Sequence, residues 1–283
     1  MTNEPPAGEH PHLVVMLEGW IDASGAAAAA MSTLESESGA AEIIAFDDDE
    51  YIDYRARRPT LEIRNGVTAA IKWESPRILR GVYAAGSPLW LLTGPEPDSR
   101  WHQFADTIVA LAEQYGVRSM TGLGAYPFAA PHTRPPRVSV TSPSVDLIAT
   151  LGYPVSSVDV PAGITAVLEE RLHSAGIPAS SIWAQVPHYV AAMSFPAASV
   201  ALLDALTNVA GIEISARNLR REVAVQRERL DHLVASNDEH RSMVDRLERM
   251  HDDAAAESAS EPLELRSGDE LAAEFERFLR DNP

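Results

Sequence analysis

The sequence predicts an α/β protein: a three-layer sandwich with a mostly parallel mixed sheet, followed by a helical C-terminal extension. Two observations support this prediction. From Leu13 to Val209, short apolar runs typical of strands alternate with helix-forming segments, which indicates a sheet covered by helices on both faces. After Gly211 the strand-like runs stop, and apolar residues recur at helical spacing in a charged background.

The first 46 residues introduce the pattern of the sandwich. His12–Leu17 is apolar and predicts a strand, and a turn leads from it into Ala26–Leu34, which is rich in strong helix formers. Asp22 or Ser24 can cap this helix by accepting backbone N–H bonds. Ile43–Phe46 predicts a second strand, and the resulting β-α-β unit is typical of a partly parallel sheet.

The rest of the sandwich is predicted from apolar runs, turn signals and amphipathic spacing. Asn65-Gly66 lies between two strand-like runs and is a strong hairpin signal. The predicted strands are Thr60–Ile63, Val67–Trp73, Leu89–Thr93, Val117–Leu123, Val138–Ser142 and Ser181–Val186, and the predicted helices are Arg100–Tyr115, Gly163–Ala175 and Pro196–Val209.

We predict four segments along the chain. Residues 1–11 form a disordered lead-in, and residues 12–210 form the α/β domain. Residues 211–252 form a helical hairpin that packs on the domain or at a subunit interface. Residues 253–283 form a flexible acidic tail with a short helix over Gly268–Leu279.

The helical hairpin is predicted from its spacing. Ile214–Val234 and Ser242–Met250 carry apolar residues at helical intervals, and Ser236-Asn237-Asp238 between them predicts a helix break and a cap. Polar residues interrupt a strict heptad, so a coiled coil is not expected. In the tail, Phe275 and Phe278 fall on one face of the predicted helix.

Composition excludes several classes of function. There are no cysteines, which removes disulfides, thiolate metal ligands and cysteine nucleophiles. The formal net charge of −18 opposes general nucleic-acid binding, because a phosphate backbone would be repelled. Lys72 is the only lysine and has no phosphate-binding loop beside it. No secretory signal and no apolar run of ~20 residues is present, so we expect a soluble cytoplasmic protein that does not cross a membrane. No cofactor is expected, because the first strand–helix turn lacks the glycine motifs that bind nucleotides.

Polar residues gather after the ends of predicted strands, where α/β sheets usually bind ligands. The two histidines among them can act as acid or base, and the arginines can clamp an anion. The candidate ligand or partner site consists of Glu18, Trp20, Asp22, Asp53, Arg55, Arg58, His132, Arg134, His188 and Tyr189. No catalytic residue is assigned, because no nucleophile, base and orienting group stand together in the sequence. No metal site is expected either, because its ligands would have to come from separate loops.

The loop Asp47–Pro59 has an unusual charge pattern. Four consecutive acidic residues are followed closely by Arg55, Arg57 and Arg58. Guanidinium groups at this density can bind a carboxylate or phosphate on a ligand or partner. The alternative is an internal salt-bridge network that fastens the loop or a subunit contact.

Five motifs occur in a defined order: Gly19-Trp20-Ile21-Asp22-Ala23, Phe46-Asp47 through Arg58-Pro59, Gly94-Pro95-Glu96-Pro97-Asp98 with Trp101, His132-Thr133-Arg134-Pro135, and Pro187-His188-Tyr189. In this order they resemble the PAC2 family, named after a proteasome assembly chaperone, and in particular its actinobacterial branch. The resemblance spans Leu13 to about Met250. It implies a phosphorylase/hydrolase-like sandwich and a homo-oligomer, with a trimer among the arrangements.

Two hypotheses of function, from different classes, stay open. In the first, the protein is an assembly or binding module whose charged loops and helical extension contact a protein partner such as a proteasome component. Substitution of Arg55, Arg57 and Arg58 would then lose that partner.

In the second hypothesis, the protein is an enzyme or a small-molecule binder with an anion pocket at the carboxyl edge of the sheet. Some family members are predicted ATP-grasp carboligases, an activity not expected here because the chain has one lysine and no glycine-rich loop beside it. Whether the protein is an enzyme stays open. The residues that would converge in this pocket are Asp22, Asp53, Arg55, His132, Arg134 and His188.

Overall fold

A computed structural model describes residues 10–258 and confirms the predicted α/β sandwich with helices at its C-terminal end. The strands are β1 (His12–Glu18), β2 (Ala41–Ala45), β3 (Thr60–Arg64), β4 (Val67–Lys72), β5 (Arg77–Tyr83), β6 (Ser87–Pro95), β7 (Ser119–Phe128), β8 (Val138–Thr141) and β9 (Ala179–Pro187). The helices are α1 (Ala26–Ser38), α2 (Asp48–Tyr51), α3 (Trp101–Tyr115), α4 (Val145–Leu151), α5 (Ile164–Ser174), α6 (Pro196–Ala210), α7 (Arg217–Ala235) and α8 (Asp238–Ser258).

Seven strands form one mixed sheet in the order β2-β5-β6-β1-β7-β9-β8. The four central strands, β6, β1, β7 and β9, are parallel, whereas β5 and β8 pair antiparallel with their neighbours. The two strands of the predicted β-α-β unit are therefore not neighbours in the sheet. β1 and β2 run in the same direction but are separated by β5 and β6, because β2 pairs antiparallel with β5 at the edge of the sheet.

The core lies on both faces of the sheet. Along β1, Val14 and Met16 face α1 and α6, while Leu13 and Val15 face α3 and α5. All four side chains are buried, as expected for a strand covered by helices on both sides. The helices thus form the outer two layers of the sandwich.

The parallel strands bring three loops to one edge of the sheet. The turn after β1 joins the end of β7 through a backbone bridge between Asp22 and Ala125. It also joins the turn after β9, because the Ser24 N–H donates to the Ala191 carbonyl at 2.7 Å. Candidate residues that follow β1, β7 and β9 therefore share the carboxyl edge of the sheet.

The β3–β4 hairpin pairs with no strand of the seven-stranded sheet. Its turn has positive φ at both central residues, 52° at Asn65 and 80° at Gly66, the geometry that the Asn-Gly pair favours. The hairpin predicted from this pair is confirmed.

The C-terminal hairpin, α7 plus α8, is also present, with its break at the predicted place. The Asn237 side-chain oxygen accepts from the Glu239 N–H at 2.8 Å and so caps α8. α8 continues to Ser258, beyond the boundary predicted at residue 252. Within the predicted lead-in, the Pro11 carbonyl oxygen accepts a hydrogen bond from the Arg118 N–H at 3.0 Å. Residues 1–9 of that lead-in and residues 259–283 of the predicted tail lie outside the described residues.

Candidate functional site

Asp22 supports the helix that follows the first turn. Its Oδ1 accepts from the Ala27 N–H at 2.8 Å and its Oδ2 from the Ala28 N–H at 3.0 Å. Burial raises the pKa of the carboxyl, while these backbone hydrogen bonds act in the opposite direction. Of the two predicted capping residues, Asp22 therefore satisfies the free N–H groups at the start of α1.

Replacement of Asp22 by alanine is expected to lower the free energy of unfolding by about 1–2 kcal/mol, since the first turn of α1 loses both acceptors. Ser24→Ala is the control, because the buried Ser24 hydroxyl has no hydrogen-bond partner among the described residues. Urea denaturation followed by circular dichroism measures both variants. Equal losses in the two would contradict the capping role.

Arg57 links the first turn to two other loops. Its Nη1 donates to the Glu18 carbonyl at 2.9 Å, and its Nε donates to Asp98 Oδ1 at 3.1 Å. The other oxygen of Asp98 accepts from the Asp53 N–H at 2.9 Å. These contacts gather Glu18 and Asp53 around one ion pair, so this part of the charged loop forms an internal network.

The neighbouring arginines behave differently. Arg55 and Arg58 are exposed, and within residues 10–258 neither guanidinium makes an ion pair or a hydrogen bond. Trp20 is 43% exposed, and its indole lies over Gly163 at the start of α5. These three side chains stay available for contacts outside the chain.

The motif at the end of β6 connects the same turns. The Glu96 N–H donates to the Glu18 carbonyl at 2.6 Å, and the Glu96 side chain accepts from the Ile164 N–H at the start of α5. Burial raises the pKa of this carboxyl. Glu96 and Asp98 thus hold α5 and Arg57 in place.

His132 lies in the loop after β7, and its side chain is buried. The Tyr189 hydroxyl lies 2.7 Å from His132 Nδ1 and accepts from the His132 backbone N–H at 2.7 Å. His132 Nε2 lies 3.1 Å from Asp231 Oδ1 on α7. Burial raises the pKa of Tyr189 to about 12, so its hydroxyl stays protonated at neutral pH. Each ring nitrogen of His132 thus lies within hydrogen-bond distance of a protein group.

Arg134 binds the second helix of the C-terminal hairpin. Its Nη1 donates to Glu248 Oε1 at 3.1 Å, and its Nε and Nη2 donate to the two oxygens of Asp252 at 2.9 and 2.8 Å. This forked pair lowers the pKa of Asp252. Thr133 also donates to Glu248, and Arg137 donates to the His251 carbonyl at 2.6 Å.

The predicted site residues thus form two groups. Glu18 and Asp53 gather around Arg57, while His132, Arg134 and Tyr189 fasten the C-terminal hairpin to the domain. His188 is exposed, and its ring meets the ring of Tyr189 edge-on at 5.4 Å between centroids. Asp22 makes the helix cap described above, and Arg55 and Arg58 stand apart.

The acidic partners of His132 and Arg134 were not among the predicted residues. Asp231 lies 99 positions from His132, so sequence spacing gives no sign of the contact. Glu248 and Asp252 are four positions apart and share one face of α8, which is a signal for a common basic partner.

Among the described residues, no group of three or more histidine or acidic side chains is placed to hold a metal ion. Within the same range, no helix combines the length and the apolar character needed to span a membrane.

The family model described as PAC2 family matches residues 16–234. No curated protein matches the sequence. Among solved structures, the Mycobacterium tuberculosis protein of unknown function Rv2714 is 30% identical with a TM-score of 0.81, and the match covers 89% of this chain and 91% of that one.

Two other solved structures are similar at the same level. A PAC2 family protein from Streptomyces avermitilis is 33% identical with a TM-score of 0.74, and the match covers 83% of this chain and 99% of that one. The Mycobacterium tuberculosis proteasome-assembly chaperone homologue Rv2125 is 32% identical with a TM-score of 0.76, and the match covers 82% and 99% of the two chains.

Proposed function

Because the chain belongs to the PAC2 family, we propose that it is an oligomeric assembly module that acts in the cytoplasm through protein–protein contacts, with a proteasome component as its partner. The observation that carries the proposal is the apolar face of the β3–β4 hairpin. Leu61, Ile63 and Ile71 are 50%, 55% and 49% exposed, and Trp73 beside them is 52% exposed. A cluster of large apolar side chains at the surface is typical of an interaction site.

The two faces of this hairpin differ in chemistry. Leu61 pairs with Ile71 across the strands on the apolar face. On the other face, Glu62 binds Lys72 at 2.5 Å and Arg64 at 3.2 Å. The charged side chains of the polar face therefore pair with one another within the hairpin, whereas the side chains of the apolar face stay about half exposed to solvent.

A second copy of the chain fits the apolar face. A lone two-stranded hairpin is marginally stable in water, so covering this face would stabilise it. The free guanidinium groups of Arg55 and Arg58 lie just before β3 in the chain. Carboxylates at the surface of a second copy can pair with these groups, whereas the like net charges of −18 oppose association and have to be outweighed by the apolar contact.

Replacement of Ile71 by glutamate is expected to weaken self-association at least ~100-fold, because a charge then replaces an apolar group at the interface. Thr60→Glu is the matched control, since it adds the same charge on the polar face, opposite Lys72. Native mass spectrometry and light scattering on the full chain measure the oligomer. A monomeric wild type, or an Ile71→Glu variant as oligomeric as the Thr60→Glu variant, would refute self-association through this face.

The partner is tested separately by adding purified proteasome α-subunits to the wild type and to an Arg55→Glu, Arg58→Glu double variant. The expected result is a stoichiometric complex with the wild type that the double variant forms at least ~10-fold more weakly. If neither protein binds any α-subunit, the proteasome partner is wrong even when self-association holds.

The competing hypothesis of an anion pocket has less support from this geometry. Both ring nitrogens of His132 and the Arg134 guanidinium are already bonded to protein groups. A ligand would first have to displace carboxylates of the C-terminal hairpin.

A further inference from the structure

A groove of about 510 Å³ lies between the loop at residues 132–138, α6 and α7. It is distinct from the exposed face of the β3–β4 hairpin. Its lining is mainly apolar and includes Val138, Tyr153, Phe195, Val200 and Val223. A groove of this size and character accepts a few large apolar side chains.

The rim of the groove carries basic and polar groups, and its one carboxylate among the described residues, Asp204, is paired with Arg220. Arg134 stands at one side and is held by Glu248 and Asp252 of α8. Arg227 of α7 and Asn208 of α6 also border the groove, and their side chains have no hydrogen bond or ion pair within residues 10–258. An occupant with apolar side chains and nearby carboxylates would pack on the apolar lining of the groove and form an ion pair with Arg227.

The described chain stops close to this groove. α8 reaches Ser258, six residues after Asp252, whose carboxylate binds the rim residue Arg134. At ~1.5 Å per helical residue, this separation is about 9 Å along the helix axis. The 25 residues from 259 to 283 therefore begin within easy reach of the groove, because 25 residues can span up to about 80 Å when extended.

The sequence of this segment has the chemistry that the groove requires. Residues 259–283 contain seven acidic and three basic residues. Phe275 and Phe278 are three positions apart, and Glu274 and Glu276 flank the first of them. Two large apolar side chains and two carboxylates thus occur within five consecutive residues.

We propose that residues 268–279 of the same chain dock in this groove, with Phe275 and Phe278 on its apolar floor and a flanking glutamate at Arg227. The groove is then an intramolecular binding site. This inference does not depend on self-association through the β3–β4 hairpin.

The absence of cysteine from the chain allows a direct test. The full-length double variant Asn208→Cys, Ala273→Cys is oxidised mildly, and disulfide formation is followed by non-reducing electrophoresis and peptide mass spectrometry. The control pair is Thr68→Cys, Ala273→Cys, with the first cysteine on the exposed β3–β4 hairpin. The expected result is an intramolecular disulfide that forms at least ~10-fold faster in the groove pair, because docking raises the local concentration.

Charge reversal identifies the contact with Arg227. Arg227→Glu in the groove pair is expected to slow the disulfide, and adding Glu274→Arg and Glu276→Arg is expected to restore it. Equal rates in the groove and control pairs would overturn the proposal. Covalent dimers in place of the intramolecular product would also overturn it, since the groove would then hold the segment of a second copy.

Discussion

Replacement of Glu169 by glutamine is expected to raise the free energy of unfolding by about 2–3 kcal/mol at pH 8 and to leave it nearly unchanged at pH 4.5. Glu169 lies on α5 and is only 6% exposed. Burial raises the pKa of its carboxyl from 4.5 to about 7. Glutamine keeps the shape of the side chain but carries no charge at any pH.

The direction follows from proton binding. Between pH 4.5 and about 7, the folded protein holds a proton on Glu169 that the unfolded chain has already released. The stability contributed by the neutral carboxyl is therefore fully present below pH 4.5 and is lost as the pH rises to about 7. Above that range the buried carboxylate is ionised, and the glutamine variant escapes the cost of burying a charge.

The measurement is a urea titration of the full chain at both pH values, followed by circular dichroism. Glu170→Gln is the matched control, because the neighbouring side chain is 64% exposed. Burial lowers the pKa of His12 to about 3, so this histidine destabilises the fold as the pH falls below 6.5. Comparing each variant with the wild type at the same pH cancels this effect. A Glu169→Gln variant whose gain is the same at pH 4.5 and pH 8 would contradict the prediction.

Replacement of Gly94 by alanine is expected to lower the free energy of unfolding by at least ~3 kcal/mol. Gly94 has a φ of 109°, a backbone conformation that residues other than glycine rarely adopt. A Cβ there would also lie 2.5 Å from the Ser75 carbonyl oxygen, a backbone atom that cannot rotate away. The residue precedes Glu96 and Asp98, so the change also disturbs their contacts with α5 and Arg57.

Gly39→Ala separates the two causes. Gly39 has a φ of 61°, but an added Cβ meets no atom within 4 Å. We expect this variant to lose only about 1 kcal/mol from backbone strain. Chemical denaturation of both variants gives the comparison, and similar losses would show that the contact with Ser75 does not matter.

Features with a local cause could be predicted from the sequence. The β3–β4 turn follows from the ability of Asn65 and Gly66 to adopt positive φ, which does not depend on the rest of the fold. The start of α1 follows likewise from Asp22, a capping residue placed before a run of alanines. Both predictions depend on neighbours in the chain, and the structure confirms both.

Features that depend on burial by distant segments could not be predicted. β5 is not predicted from the sequence, because Arg77, Arg80 and Gly81 break its apolar residues into pairs too short to indicate a strand, and Ile78 and Leu79 are buried only by neighbouring strands and helices. The edge position of β2 depends on β5 and was missed for the same reason. The three arginines of the charged loop look equivalent in sequence, and only the contact with Asp98 distinguishes Arg57 from Arg55 and Arg58.

The two outermost strands of the main sheet limit how copies of this chain can join. β2 has five residues and a register shift between Glu42 and Ile44, and β8 has only four residues. Short or irregular outer strands are poor templates for backbone pairing with another molecule. Contacts between copies through side-chain surfaces, rather than through backbone pairing of outer strands, allow closed oligomers with a fixed number of subunits and avoid open-ended fibres.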